Sequence, residues 1–147
     1  MSIDYNLQFE DNLLPEALLA KVKEICGFPE VRNNVLQDAG TRFTVSAYKV
    51  TDEWVIEESK KENGFPISSY LSMRHGKIQQ ERCEELMMLA VVELLQVYSC
   101  NVVLVFCESP SVVLFRRDNS IFIKSDWMEM AGIGLFDEAN LQYSVID

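Results

Sequence analysis

The order of apolar and polar positions predicts the first two elements of the chain. In residues 3–9, apolar and polar side chains alternate with a period of two, which is typical of a strand buried on one face. From Leu18 to Cys26, apolar residues instead recur at helical spacing, behind a proline, Pro15, that suits the first turn of a helix. Gly27 then follows, and glycine is common just past a helix end. We therefore predict a strand and then a helix that ends at Gly27.

Residues 79–98 carry the strongest helical pattern in the chain. Apolar residues recur there at intervals of three and four, at Cys83, Leu86, Met87, Ala90, Val91, Leu94, Leu95 and Tyr98. Met88, Leu89 and Val92 widen the apolar stripe in the second half, so that half should be covered on more than one side. We expect this long helix to be the central packing element.

Shorter patterns predict the remaining elements. Alternating or β-branched runs predict strands at residues 41–50, 66–74, 101–108, 111–117 and 120–124. Short turns link the last three strands, which favours an antiparallel meander. Weaker patterns predict a short strand near Val35, a helical turn at 126–130 and an edge strand at 141–146. The order of elements predicts a single α+β domain over residues 1–147, with a mostly antiparallel sheet, two main helices packed on one face and a C-terminal β-meander.

Charge and length narrow the functional classes. A chain of 147 residues is long enough for one ordinary core, and 48% apolar with 24% charged residues is the usage of a globular protein. Thirteen Lys and Arg against 23 Asp and Glu give a net charge of −10. Proteins that bind the phosphate backbone of nucleic acids need a cationic surface. We therefore expect no direct nucleic-acid ligand.

The expected location is the cytoplasm. Residues 1–8 contain neither a basic region nor an apolar stretch of the kind that a secretory signal has, and no apolar run approaches the roughly 20 residues that span a bilayer. The four cysteines stand at scattered positions in or beside apolar segments, at Cys26, Cys83, Cys100 and Cys107. This spacing favours reduced thiols over a disulfide framework or a metal site.

Residues typical of an active site are scarce. The only histidine is His75, which stands before Gly76 and is interpreted as part of a solvated turn; a serine–histidine–carboxylate arrangement that uses it remains an alternative, without a Gly-x-Ser-x-Gly motif to support it. The spacings of zinc sites, calcium loops and glycine-rich phosphate loops do not occur. We therefore predict no catalytic residues, no metal and no cofactor. In Arg116-Arg117, at most one side chain should reach the core side of a strand, and the doublet is a candidate for a partner salt bridge.

An acidic segment is the most distinctive surface feature. It is expected to form a loop or a short helix, and its candidate partner-binding residues are Asp52, Glu53, Trp54, Glu57, Glu58 and Glu62. Tryptophan is enriched at binding hot spots, and an acidic rim around an aromatic residue suits a basic protein partner. The alternative is that Trp54, Val55 and Ile56 anchor the segment to the core while the carboxylates are only solvated.

The C-terminal half resembles the Sit-type immunity proteins, which are the partners of swarming-inhibition toxins in myxobacteria and belong with the immunity proteins of bacterial polymorphic toxins. The similar features are a Gly64-Phe65-Pro66 lead into a strand that carries Arg74, the long apolar helix, and the strands 102–108, 112–117 and 121–123. Residues 3–7 are similar to the opening strand of the family. The chain differs at residues 107–110, where the family tends toward a tight Asn-Gly-Glu hairpin.

This resemblance implies a non-enzymatic protein that binds a cognate toxin and blocks it in the producing cell. A cytosolic immunity protein implies a cytosolic toxin target, such as nucleic acid, nucleotides or the translation machinery. A toxin that acts on a polyanion needs a cationic cleft, which a carboxylate-rich surface can occupy. The alternative is an acidic secretion chaperone or adaptor for an effector protein, although such chaperones usually begin with a helix. Both a monomer and a dimer are compatible with the sequence.

Overall fold

The computed structural model describes residues 3–147, which form nine strands and four α-helices. The strands are β1 (Ile3–Phe9), β2 (Glu30–Arg32), β3 (Val35–Gln37), β4 (Thr44–Lys49), β5 (Ser69–His75), β6 (Val102–Phe106), β7 (Ser111–Arg117), β8 (Ser120–Lys124) and β9 (Tyr143–Ile146). The helices are α1 (Pro15–Cys26), α2 (Glu53–Asn63), α3 (Gln80–Val97) and α4 (Leu135–Glu138). A 3-10 turn (Ser125–Trp127) follows β8. The α+β class is confirmed.

The nine strands form one sheet in the order β2-β3-β4-β5-β1-β6-β7-β8-β9. All neighbouring strands are antiparallel except β8 and β9, which are parallel. Strands β6, β7 and β8 form the predicted C-terminal meander. Strand β1 lies at the centre of the sheet, between β5 and β6, so the two halves of the sheet are joined through the N-terminal strand.

Helices α1 and α3 cover one face of the sheet, as predicted. The alternation of β1 directs Tyr5, Leu7 and Phe9 into the main core, where they meet Leu18 of α1 and Met87 of α3. All of these side chains are buried. The apolar stripe of α3 is buried on a wide arc, which confirms that α3 is the central packing element.

A buried arginine closes the C-terminal end of α3. Arg116 lies on the core side of β7, and its guanidinium donates hydrogen bonds to the carbonyl oxygens of Leu95, Tyr98 and Cys100. The last carbonyls of a helix lack partners within the helix, and a cation there also complements the helix dipole. Among residues 3–147, the partners of the Arg116 guanidinium are backbone carbonyls and not a carboxylate.

The opposite face of the sheet is covered only in part. Its central positions hold polar side chains such as Asn6, Ser46 and Ser72, which are half-buried. A second apolar cluster of Phe65, Ile67 and Val103 lies toward the end of the sheet where α2 is attached. Helix α2 therefore sits on the face that α1 and α3 leave uncovered.

Candidate functional site

The acidic segment folds as helix α2, with defined ends. Asp52 caps its N-terminus, because Oδ1 accepts a hydrogen bond from the backbone N–H of Trp54 at 2.9 Å. Gly64 ends the helix in the left-handed conformation at φ 82°, and its N–H donates to the carbonyl oxygen of Lys60 at 3.0 Å. The acidic first turn and the basic last turn both complement the helix dipole.

Ser59 attaches α2 to the rest of the protein. Its hydroxyl donates to the carbonyl oxygen of Ile56 at 2.7 Å and accepts from the backbone N–H of Ile67 at 3.0 Å. Ser59 is buried, and Ile67 belongs to the second apolar cluster with Phe65 and Val103. A small polar residue therefore fixes the helix to the sheet at a position that gave no signal in the apolar pattern.

The predicted partner-binding residues are spread along α2, from its N-cap to its last turn. Asp52, Glu53, Trp54, Glu57 and Glu62 are exposed, while Glu58 is half-buried. We call these six residues the acidic surface. Of the three side chains that the alternative expects to anchor the segment, Trp54 is 70% exposed and Val55 is 41% exposed, whereas Ile56 is half-buried.

A groove of about 320 Å³ separates α2 from the sheet. Three members of the acidic surface line it: Trp54, Glu58 and Glu62. The sheet contributes apolar side chains, Val105 and Val112 among them. An aromatic ring, two carboxylates and an aliphatic wall suit a long cationic side chain, whose stem can lie on the apolar part while its charge meets the acids.

The acidic surface is thus divided between the groove and open solvent. Asp52, Glu53 and Glu57 do not line the groove, although they belong to the same helix. Lys61 lies near Glu58, with 3.6 Å between Nζ and Oε1. An exposed pair of this kind contributes little to stability, so a stronger cationic partner can replace it.

A family model described as SitI3-like matches residues 3–131. The match runs from β1 past the 3-10 turn and includes the whole of α2. The chain belongs to the SitI3-like family. This confirms the resemblance to Sit-type immunity proteins on the greater part of the chain, leaving only α4 and β9 outside the match.

The SitI3-like family indicates an immunity-protein role, with a toxin as the general class of partner and without enzymatic activity. No curated protein and no solved structure matched the chain. Within residues 3–147, none of the helices has both the length and the apolar character needed to cross a bilayer.

The histidine of this SitI3-like protein is buried, so its interpretation as a solvated turn residue is wrong. His75 is the last residue of β5, where it pairs with Ile3 of β1. It is 5% exposed, between the rings of Tyr5 and Phe43 at centroid distances of 5.1 and 5.8 Å. Burial lowers its pKa to about 4, so the imidazole is neutral at neutral pH, and its Nε2 has no hydrogen-bond partner in the described part of the chain.

Other reactive side chains are dispersed. Burial raises the pKa of the Cys26 thiol to about 11 and also raises the pKa values of Cys100 and Cys107. All four thiols are free. The described residues contain no group of three or more His, Cys, Asp or Glu side chains that could hold a metal ion.

Proposed function

We propose that this protein is an immunity protein that binds a cognate toxin through the acidic surface of α2 and occludes the toxin's active site. The observation that carries the proposal is the exposure of Trp54, at 70%, beside a carboxylate-lined groove. Exposure of a large aromatic side chain to water is unfavourable, and burial of that side chain against a partner surface would favour binding. Family membership supplies the class of partner.

Charge supports a basic partner. The protein carries a net charge of −10, and the acidic surface contributes five of its carboxylates along one helix. Such a surface steers a cationic protein toward itself and raises the rate of association. A toxin that acts in the cytosol on nucleic acid, nucleotides or the translation machinery needs a cationic cleft to hold its substrate, and we propose that the acidic surface occupies such a cleft.

The groove gives this contact a specific form. We expect a lysine or arginine of the toxin to enter it, with its stem against Val105 and Val112 and its charge near Glu58 and Glu62. The ring of Trp54 can cover this cation from the open side. A central aromatic residue surrounded by a polar rim is the arrangement in which single residues carry most of the binding energy.

The experiment uses the product of the gene adjacent to that of this protein as the candidate toxin. The two proteins are co-expressed, and the rescue of growth and the dissociation constant of the purified complex are measured. Trp54→Ala is expected to weaken binding at least about 30-fold, which corresponds to roughly 2 kcal/mol at a hot spot. Glu57→Lys with Glu58→Lys is expected to abolish rescue.

A matched control separates contact from long-range charge. Glu16→Lys with Glu138→Lys also changes the net charge from −10 to −6, but these exposed residues lie on α1 and α4. We expect this variant to protect. Equal losses in both charge-reversed variants, or no loss with Trp54→Ala, would contradict the proposed surface. A stable dimer that binds only an unfolded segment of its partner would instead establish the chaperone alternative.

A further inference from the structure

A second surface has the opposite charge. Four cationic side chains, from Arg32, Arg42, Arg74 and Lys77, line a cleft of about 740 Å³ in a protein whose net charge is −10. Among the described residues that line this cleft, none carries a carboxylate. We call it the basic cleft. Its positive charge is opposite in sign to the net charge of the protein, so a function of the cleft itself would account for it.

Three separate segments build the basic cleft. Edge strand β2 supplies Arg32, the residues before β4 supply Arg42, and the turn after β5 supplies Lys77. Thr44 of β4 and Arg74 of β5 are cross-strand neighbours in the floor. They lie on the face of the sheet that carries α2, at the far ends of β4 and β5 from that helix.

Most of this positive charge is not neutralised within the protein. Arg74 donates from Nε to Oδ1 of Asp4 at 2.8 Å. Within residues 3–147, Arg32, Arg42 and Lys77 form no ion pair with a carboxylate. Like charges held in one cleft repel each other, so an anion bound there gains favourable energy from several cations at once.

The walls of the cleft are aliphatic. Val31 is 52% exposed and Ile78 is 63% exposed, and both line the cleft together with Val35. No phenylalanine, tyrosine or tryptophan is among the described lining residues, and His75, which does line the cleft, is only 5% exposed, so the cleft offers no exposed aromatic face on which a nucleobase could stack. The combination suits an occupant that carries both carboxylates and aliphatic side chains, which is an acidic peptide segment rather than a nucleotide.

The edge of the sheet adds a means of holding an extended chain. Strand β2 is the terminal strand of the sheet and pairs with β3 alone. An edge strand directs backbone N–H and C=O groups outward, and an extended peptide can pair with them. Arginine side chains next to that edge can hold carboxylates by two parallel hydrogen bonds.

We propose that the basic cleft binds an extended acidic segment of a protein partner. Carboxylates of the segment meet Arg32, Arg42 and Lys77, while its aliphatic side chains cover Val31 and Ile78. This proposal goes beyond the binding of a toxin by α2 and does not depend on it, because it concerns a surface of opposite charge at the other end of the same face.

The test uses two synthetic peptides of eight residues, one alternating glutamate with valine and the other alternating lysine with valine. Each is titrated into the full chain labelled with ¹⁵N, and amide shifts are followed by NMR. The glutamate peptide is expected to bind and to shift the amides of Val31, Arg42 and Ile78, and the lysine peptide is expected not to do so. Shifts confined to α2, or no binding of the glutamate peptide at about 1 mM, would overturn the proposal.

Paired variants locate the contact. Arg32→Glu with Lys77→Glu is expected to weaken binding of the glutamate peptide at least about tenfold, since two exposed attractions become repulsions. Lys23→Glu with Lys49→Glu makes the same change in net charge at exposed positions outside the cleft and is expected to change binding less than about twofold.

A neutral variant and two phosphate-containing ligands complete the test. Arg32→Gln with Lys77→Gln gives a neutral version should the charge-reversed chain fail to fold, and it is expected to weaken binding about threefold or more. Inorganic phosphate and adenosine monophosphate are titrated separately. If either binds at the cleft more tightly than the glutamate peptide, the site is one for phosphate groups and the peptide proposal is wrong.

Discussion

The guanidinium Nη1 of Arg116 donates a hydrogen bond to the carbonyl oxygen of Leu95 at 2.6 Å. This contact joins the core side of β7 to the last turn of α3. The same side chain reaches the carbonyl oxygen of Cys100, beyond the helix end, at 2.9 Å from Nε. One buried cation therefore fixes where α3 stops and where the following chain turns toward β6.

We predict that Arg116→Met lowers the free energy of unfolding by about 3 kcal/mol. The variant keeps an unbranched stem but leaves buried carbonyl oxygens of Leu95 and Cys100 without donors, and each lost charged hydrogen bond costs roughly 1.5–3 kcal/mol. Urea unfolding followed by circular dichroism measures the change.

The neighbouring arginine is the matched control. Arg117 is exposed, donates to the carbonyl oxygen of Asn63 and lies 5.5 Å from the centroid of Phe115. Arg117→Met should cost less than about 1 kcal/mol. Equal losses at positions 116 and 117 would show that the buried carbonyl contacts do not stabilise the fold.

His75 should make stability depend on pH. Its pKa is about 4 in the folded protein because of burial, with Asp4 raising it in part, while the ordinary value is 6.5. The unfolded chain therefore binds more protons between these two values, so stability falls as the pH is lowered from about 6.5 toward 4. The contribution of this one group is at most about 1.4 kcal/mol per pH unit.

His75→Phe tests this dependence. Phenylalanine keeps a ring between Tyr5 and Phe43 but takes up no proton. The free energy of unfolding is measured by urea titration from pH 5 to pH 7.5 for both proteins. The carboxylates titrate in both proteins, so the difference between the two curves reports on His75 alone. This difference should grow as the pH falls, and a constant difference would contradict the lowered pKa of His75.

Gly76 should tolerate no side chain. A Cβ atom built at this position would lie 1.9 Å from the carbonyl oxygen of Thr41, so the backbone would have to move. Gly76→Ala is expected to lower the free energy of unfolding by about 2–3 kcal/mol, as overpacking does. Gly134→Ala is the control, because its Cβ would meet nothing within 4 Å and its φ is −63°. Thermal unfolding should show a clear fall in Tm for the first variant and none for the second.

The two tryptophans should differ in their contribution to stability. Trp54→Ala is expected to change the free energy of unfolding by less than about 0.5 kcal/mol, because its ring contributes little to the core. Trp127 packs against Tyr5 and Phe106 at centroid distances of 6.1 and 5.5 Å, so Trp127→Ala should cost about 2 kcal/mol. Chemical unfolding of both variants gives the comparison, and a large loss for Trp54→Ala would mean that its ring supports α2.

The elements with a long or strict pattern were predictable. The alternation in residues 3–9 gave β1 within its observed bounds, and the apolar stripe of residues 79–98 gave α3 to within one residue at each end. Strands β2 and β3 have only three residues each, and β2 is exposed throughout, so their hairpin produced no period beyond the weak signal at Val35. His75 was misread because its place in β5 depends on pairing with Ile3, a contact that no local pattern contains.

The two candidate surfaces likewise differ in how far the sequence alone predicts them. The acidic surface comes from one short segment, residues 52–62, so charge and tryptophan content were visible in the sequence. The basic cleft collects cations from Arg32, Arg42, Arg74 and Lys77, which only the pairing of β4 with β5 and the hairpin beside them bring together. Similarly, Ser59 could not be recognised as the attachment of α2 before Ile67 was placed beside it.

The central position of β1 governs the order in which a nascent chain can fold. Strand β1 leaves the ribosome before the other strands of the sheet, yet its two neighbours, β5 and β6, lie roughly 60 to 100 residues downstream. At about 5–20 residues per second, β1 waits several seconds or longer for both partners. Val105 and Val112, which wall the groove beneath Trp54, emerge later still than α2 itself. The groove next to α2 is therefore completed only after Val112 has been synthesised, and a chain that stops before Val105 would display the acids of α2 without the wall against which a partner is expected to bind.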